Sequence, residues 1–211
     1  MKSIKSFTFI TCILLYCTSI YASGIKIKSG SLSALKTEKN INVKFDYSGV
    51  KMFNEISEQE YVSAVVADMN AKKPGTGDKW QQDWTDNPSA LYHPAFIKKF
   101  NKEAGKIITL DSLDSKYTIL AKVQVMNPGA FKFGVRKFEN QIAYIMYAFS
   151  IIETANPTTI ICEMEPMVAT GKGGIDVHGN YDAGFTVGIR VTEVFESAGE
   201  QLGKCFIKNL K

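Results

Sequence analysis

The segment from Gln141 to Ala169 constrains the fold of this chain more than any other stretch. Its first half, QIAYIMYAFSIIET, is rich in Ile, Tyr and Phe, which favours a strand over a helix. Asn156-Pro157 predicts a tight turn, because proline fixes φ and lacks the N–H that a central strand needs. Strand character resumes at Thr158, and Pro166 is typical of a bulge or a strand end. The segment therefore predicts two strands joined by a turn at the centre of a sheet.

Both faces of the first of these strands are apolar. One face carries Ala143, Ile145, Tyr147, Phe149 and Ile151, and the other carries Tyr144, Met146, Ala148 and Ile152. We expect such a strand to be covered on both sides, by a helix on one face and by loops or an amino-terminal segment on the other. The alternative is that the second face contacts a partner or forms a homodimer, since large exposed apolar patches usually mark contacts.

The amino terminus, MKSIKSFTFITCILLYCTSIYAS, has the pattern of a secretory signal peptide. Lys2 and Lys5 precede an apolar core, and Ala22 stands at a suitable cleavage position, which predicts a signal peptide at 1–22. Tyr16 before Cys17 is a poor fit to a lipidation site, which favours small residues there. No other apolar run approaches the roughly 18 residues that a membrane span needs. We expect an exported protein, periplasmic or at the cell surface, that is not membrane-spanning.

Removal of 22 of the 211 residues leaves 189, the size of a single domain, 23–211. The formal charge of +4 falls to +2 with the loss of two lysines, and no run of five like charges occurs. This balance argues against nucleic acid as a partner. Two cysteines remain, Cys162 and Cys205. They can form a disulfide in an oxidising compartment, or they can stay as two buried free thiols.

Periodicity along the rest of the chain indicates alternating strands and helices. The stretch INVKFDY is a half-buried strand, and Ser57-Glu58-Gln59-Glu60 is a capping box that opens a helix. A short helix comes next, and Asn87-Pro88 is expected to break it. A long carboxy-terminal helix carries one apolar stripe. The fold class predicted is α+β, a mainly antiparallel twisted sheet with helices packed mostly on one face.

Three aromatic residues form the predicted ligand site, Trp80, Trp84 and Tyr92. A helix would place the two indoles, four residues apart, on one face. Indole rings combine a large apolar area with one donor, which suits a platform for a glycan or a peptide. The alternative is that these rings pack the helical connection onto the sheet.

The loop around His178 is the other polar feature. Asp176, His178, Asn180 and Asp182 alternate oxygen and nitrogen ligands, but Tyr181 and Val187 stand where an EF-hand needs glycine and glutamate. Asp182 can instead cap the last helix. We therefore predict no metal and no other cofactor. No G-x-S-x-G elbow and no obvious carboxylate pair occurs, which leaves no predicted catalytic residue.

Three short segments of the chain resemble a group of exported proteins of Gram-negative bacteria. They are Phe45–Ser48, Lys73–Trp80 and Ala198–Lys208. The order of elements also resembles the small α/β domain at the amino terminus of TolB and in envelope lipoproteins. These resemblances imply a periplasmic or surface location and a binding or assembly role, and they imply no catalytic residues.

Three functions stay open at this point. The first is a non-enzymatic exported protein that binds or assembles at the cell envelope, with an envelope protein or a glycan as its partner. The second is a glycan- or peptide-binding module that uses the aromatic loop. The third is a hydrolase centred on His178 with Asp176 or Asp182.

Overall fold

The structure is a computed structural model that describes residues 24–105, 107–110, 115–129, 131–133, 136–138, 142–171 and 187–210. Two sequence predictions fall outside these ranges. They are the signal peptide at 1–22 and the polar loop that contains His178.

Strands and helices alternate along the described part of the chain. The α-helices are α1 (Glu58–Lys72), α2 (Thr76–Asn87), α3 (His93–Glu103) and α4 (Val187–Asn209). The strands are β1 (Ile27–Gly30), β2 (Asn40–Asp46), β3 (Lys51–Met52), β4 (Ile108–Leu110), β5 (Tyr117–Asn127), β6 (Phe131–Phe133), β7 (Arg136–Phe138), β8 (Tyr144–Glu153), β9 (Ile160–Met164) and β10 (Met167–Thr170).

Eight of the described strands form one sheet, in the order β1-β9-β8-β5-β2-β4, with β10 beside β8 and β3 beside β5. The pairs β1–β9, β9–β8, β10–β8 and β8–β5 are antiparallel. The pairs β5–β2, β2–β4 and β3–β5 are parallel. The α+β class is confirmed, and the sheet is mixed, with its parallel pairs on the β2 side. Strands β6 and β7 pair with each other in a separate hairpin.

Strand β8 is central, as the sequence predicts. Its inner face is buried at every position from 143 to 151, and Ile145, Tyr147 and Ile151 have no exposed area. The second face differs from the prediction, because Tyr144, Met146 and Ala148 are only half-buried and Ile152 alone is buried. The predicted second strand is split at Glu165-Pro166 into β9 and β10, as expected for a proline that cannot donate to the ladder.

Helix α4 packs its predicted stripe into the core. The buried members of the stripe are Val191, Val194, Phe195, Ala198, Leu202, Cys205 and Phe206. Gly199 and Gly203 lie against helix α3. A Cβ at Gly199 would stand 2.3 Å from the Phe96 carbonyl oxygen.

Helix α1 begins as its sequence predicts. The Glu60 N–H donates to the Ser57 hydroxyl at 3.2 Å, and the Ser57 N–H donates to the Glu60 carboxylate at 2.8 Å, which completes the capping box. Helix α2 ends at Asn87, where the sequence predicts a break, but the chain does not leave its helical path. It continues through a π-helical turn, Pro88–Tyr92, directly into α3. The missing N–H of Pro88 falls at the junction of α2 with this turn, where the i→i−4 pattern of α2 ends.

Candidate functional site

Four tyrosine side chains lie close enough to interact near the carboxyl end of β2. Tyr47 follows β2, Tyr61 lies in α1, Tyr92 ends the π-helical turn and Tyr147 lies in β8. We call these four residues the tyrosine cluster. Tyr61, Tyr92 and Tyr147 are buried, with exposed fractions of 4%, 2% and 0%. Two basic side chains lie beside the cluster. They are His93 from α3 and Arg190 from α4.

Tyr47 contacts the histidine. Its hydroxyl lies 2.9 Å from His93 Nε2, and the imidazole ring stacks on Phe45 with centroids 4.1 Å apart. Burial raises the pKa of Tyr47, and the nearby groups Tyr92 and Glu58 raise it further. The hydroxyl is therefore neutral and can donate or accept a hydrogen bond.

Tyr147 is the innermost member of the cluster. Its ring stacks on Phe149 at 5.3 Å and meets Phe195 edge to face at 5.7 Å. Burial raises the pKa of the Tyr147 hydroxyl well above its usual value, with a further contribution from Tyr47. Within the described ranges this hydroxyl makes no hydrogen bond. A buried polar atom of this kind marks a polar interior in an otherwise apolar core.

Tyr61 and Tyr92 face the arginine, Arg190. Burial lowers the pKa of Arg190, and Tyr61 and Tyr92 oppose that change. The guanidinium Nε donates to the Pro128 carbonyl at 3.0 Å, which orients the side chain. Burial raises the pKa of Tyr92 to about 12, although Asn87 and Arg190 lower it. The π-helical turn matters here, because it ends at Tyr92 and such turns are frequent at functional sites.

The two indoles lie together at the outer side of the cluster. Trp80 and Trp84 stack with ring centroids 5.3 Å apart and an interplanar angle of 27°. Tyr61 lies against both rings, at 6.2 Å and 5.4 Å. Trp84 Nε1 donates to the Glu58 carboxylate at 2.8 Å, which holds its indole in one orientation. Both indoles are half-buried.

The structure therefore brings together two of the three aromatic residues that the sequence predicts. Tyr92 instead stacks on Phe195 in the core, with centroids 5.1 Å apart. Tyr61 takes the place expected for Tyr92 beside the indoles. Tyr61 and Arg190 were not predicted from the sequence, because Tyr61 lies at a core-facing position of a helix and Arg190 is an isolated basic residue. Whether the indoles bind a ligand stays a prediction.

Cys162 and Cys205 are buried free thiols in this structure. Burial raises the pKa of Cys162 to about 11, and the neighbouring Cys205 adds to that increase. The Cys205 thiol donates to the Ile25 carbonyl at 3.6 Å, and its own pKa is raised by burial. The two thiols interact electrostatically. The disulfide therefore stays one of the two alternatives that the sequence predicts for this pair.

The predicted hydrolase centre lies outside the described residues, since Asp176, His178 and Asp182 all fall in the range 172–186. In the ranges that the structure covers, no group of three His, Cys, Asp or Glu side chains could hold a metal ion. In those same ranges, no helix is both long and apolar enough to cross a membrane.

Comparisons with known proteins find structural likeness only. No protein-family model and no curated protein matches the chain. One similar structure is a PelC dodecamer from Paraburkholderia phytofirmans, with a TM-score of 0.36 and 10% identity, covering 85% of this chain and 98% of that one. Another is protein XCC0632 from Xanthomonas campestris, with a TM-score of 0.34 and 10% identity, covering 56% of this chain and 60% of that one.

A third is the hypothetical protein CT253 from Chlamydia trachomatis, with a TM-score of 0.31 and 8% identity, covering 78% of this chain and 95% of that one. None of these three is described as a TolB domain. The resemblance to TolB therefore has no support from these structures and stays a prediction. TM-scores this far below 0.5 support no inference about what the chain binds.

Proposed function

We propose that this protein is an exported, non-enzymatic binding protein of the cell envelope, and that its ligand is a glycan that stacks on Trp80 and Trp84. The observation that carries the proposal is the fixed, half-exposed indole pair. The two rings are stacked, rest on Tyr61 and are oriented by Glu58. A platform that is already ordered loses little conformational entropy when a ligand binds.

The surroundings of the pair suit a sugar ring. The apolar face of a sugar can lie on an indole, and its hydroxyls need nearby hydrogen-bonding groups. Helix α2 supplies such groups, because Gln81 and Asp83 are exposed and flank the face that carries the two indoles. Tyr61 lies behind the pair and adds aromatic support to both rings.

The phenol groups of the site are hydrogen-bonding groups at neutral pH. Burial raises the pKa of Tyr47, Tyr61 and Tyr147, so their hydroxyls stay protonated at neutral pH. A protonated phenol is a hydrogen-bonding group and a poor nucleophile. Burial raises the pKa of both thiols as well, which makes them unreactive.

Tryptophan fluorescence tests the proposal directly, because these two indoles are the only tryptophans of the chain. Protein purified from the envelope is titrated with neutral, N-acetylated and uronic-acid hexasaccharides. We expect one class to change the emission in a saturable way. The double variant Trp80→Ala, Trp84→Ala, followed by calorimetry, should then bind at least tenfold more weakly and keep its far-ultraviolet circular dichroism.

A matched control is Glu58→Gln. It keeps both indoles and changes only the acceptor of the Trp84 N–H, so it should weaken binding by a smaller factor than the double variant. Saccharide binding that survives loss of both indoles would refute the proposal. A saturable response to extended peptides, with none to any saccharide, would assign the same platform to a peptide ligand.

A further inference from the structure

Strand β10 has one edge that no described residue pairs with. In the described chain it pairs with β8 only, from Met167 opposite Tyr147 to Thr170 opposite Tyr144. The Gly171 N–H donates to the Ala143 carbonyl at 2.9 Å, which identifies that pair as a hydrogen-bonded one. Hydrogen-bonded pairs recur at every second residue of an antiparallel ladder. Met167 and Ala169 therefore bond to β8 through their main chains.

Val168 and Thr170 direct their main-chain N–H and C=O groups away from β8 for the same reason. Among the described residues, no main-chain hydrogen bond reaches either of them from that side. The side chain of Val168 is 48% exposed. As far as the structure describes the chain, this edge carries main-chain donors and acceptors without partners beside an exposed apolar side chain.

A groove lies along the same edge. It has a volume of about 720 Å³, and its walls are β10, the amino-terminal residues Gly24, Ile25 and Lys26, and Gln201 of α4. The Glu165 N–H donates to the Lys26 carbonyl at 2.9 Å, which holds the chain before β1 against the sheet at Glu165. No main-chain hydrogen bond among the described residues joins residues 24–26 to β10. The groove is therefore the next strand position of the sheet, beside β10.

We propose that this groove binds an extended peptide segment of another protein, which adds to the sheet as a strand beside β10. Free main-chain groups on a strand edge are satisfied by another extended main chain, and this is a recurrent mode of peptide recognition. The size fits. A strand residue occupies about 160 Å³, from a rise of ~3.4 Å, a strand spacing of ~4.8 Å and a layer spacing of ~10 Å. The groove then holds about four to five residues, the length of β10.

The walls decide which kind of partner fits. Residues 24–26 and Gln201 enclose the groove on two sides, so a single strand enters more easily than the edge of a second folded copy. Side chains opposite Val168 and Thr170 share their face of the sheet, where β-branched residues pair best. Lys26 and Glu165 place one charge of each sign on the groove, which favours a segment without strong net charge.

A tethered peptide tests the proposal. The sequence Thr-Val-Thr-Val-Thr and a Gly-Ser linker are inserted between Ser23 and Gly24, since Gly24 lines the groove. A short flexible tether gives an effective concentration in the millimolar range. Amide hydrogen exchange is followed by NMR. We expect exchange at Val168 and Thr170 to slow at least tenfold, while exchange at Ala169, which already bonds to β8, stays unchanged. A tether with proline at alternate positions is the matched control and should protect neither amide.

Two variants separate main-chain pairing from side-chain contact. Val168→Pro removes the N–H that faces the groove and spares the ladder with β8, and proline is tolerated on an edge strand. Val168→Thr keeps that N–H. We expect protection at Thr170 to be lost in the proline variant and kept in the threonine variant.

Equal protection by the two tethers, or by neither, would overturn the proposal. So would amides of Val168 and Thr170 that are already protected without a tether. If that protection appears only at concentrations where light scattering detects dimers, the occupant is a second copy of this chain. These readouts do not involve the indole pair, so their failure and the failure of glycan binding are distinguishable.

Discussion

The contact between α3 and α4 depends on Gly199, and Gly199→Ala measures how tightly these helices pack. A Cβ at this position would lie 2.3 Å from the Phe96 carbonyl oxygen and 3.0 Å from its carbonyl carbon. Ordinary carbon–oxygen contacts begin at about 3.3 Å. The two helices must therefore separate by about 1 Å. Because the obstructing atoms belong to the backbone, no side-chain rotation can relieve the contact.

The expected loss of stability follows from two opposing contributions. Overpacking costs about 1–3 kcal/mol, and a backbone clash belongs at about 3 kcal/mol. Alanine gains about 1 kcal/mol over glycine in a helix. We expect the free energy of unfolding to fall by about 2 kcal/mol, which lowers Tm by about 4–8 °C in a domain of this size. Urea and thermal unfolding, followed by circular dichroism, measure both quantities.

Gly188→Ala is the matched control, since it makes the same change in the same helix. A Cβ there would meet the side-chain amide of Asn87 at 2.9 Å, and a side chain can rotate away. Gly188 is the second residue of α4, where alanine gains less over glycine than in a helix interior, so we expect a change of less than about 0.5 kcal/mol. If Gly199→Ala is as mild as the control, or stabilises the protein, the helices do not pack as closely as the structure indicates and the reasoning is refuted.

Two further predictions concern titration and the thiols. Burial raises the pKa of Tyr92 to about 12, above the value of ~10 in an unfolded chain. The contribution of Tyr92 to stability is therefore complete below about pH 10 and is lost as the pH rises towards 12. Urea unfolding at pH 9, 10 and 11 should show this decline, and a flat profile would contradict it. Cys162 and Cys205 are buried with raised pKa values. Iodoacetamide should therefore modify both thiols only after the protein unfolds in urea. A failure to react in urea until reductant is added would instead establish a disulfide.

Local sequence signals predicted the local structure well. The capping box at Ser57, the turn at Asn156-Pro157 and the stripe of α4 all depend on residues a few positions apart, and all three are present. Pro166 ended β9 as expected. The α+β class followed from the same periodicities.

Pairings between distant segments were not predictable in this way. Strand β4 has three residues and β3 has two, too few to show alternation, yet each extends the sheet by parallel pairing. Parallel pairs depend on crossovers, and the crossover that follows β2 contains α1, α2 and α3. The helical path that continues past Pro88 was not predicted for a related reason. A rule for proline in an α-helix does not consider a wider π-helical turn, which here joins two helices into one path.

The tyrosine cluster explains why only part of the candidate site was visible in the sequence. Trp80 and Trp84 stand close together on a polar helix, so their spacing alone suggested a surface. Tyr61 and Tyr147 read as ordinary core residues, because periodicity treats tyrosine and phenylalanine alike. The difference appears only when burial is known. The Tyr147 hydroxyl, which has no hydrogen-bond partner among the described residues, costs free energy in the core, whereas phenylalanine fills almost the same volume without that cost. The convergence of three buried tyrosines, Tyr61, Tyr92 and Tyr147, from distant parts of the chain is therefore a feature that only the folded chain reveals.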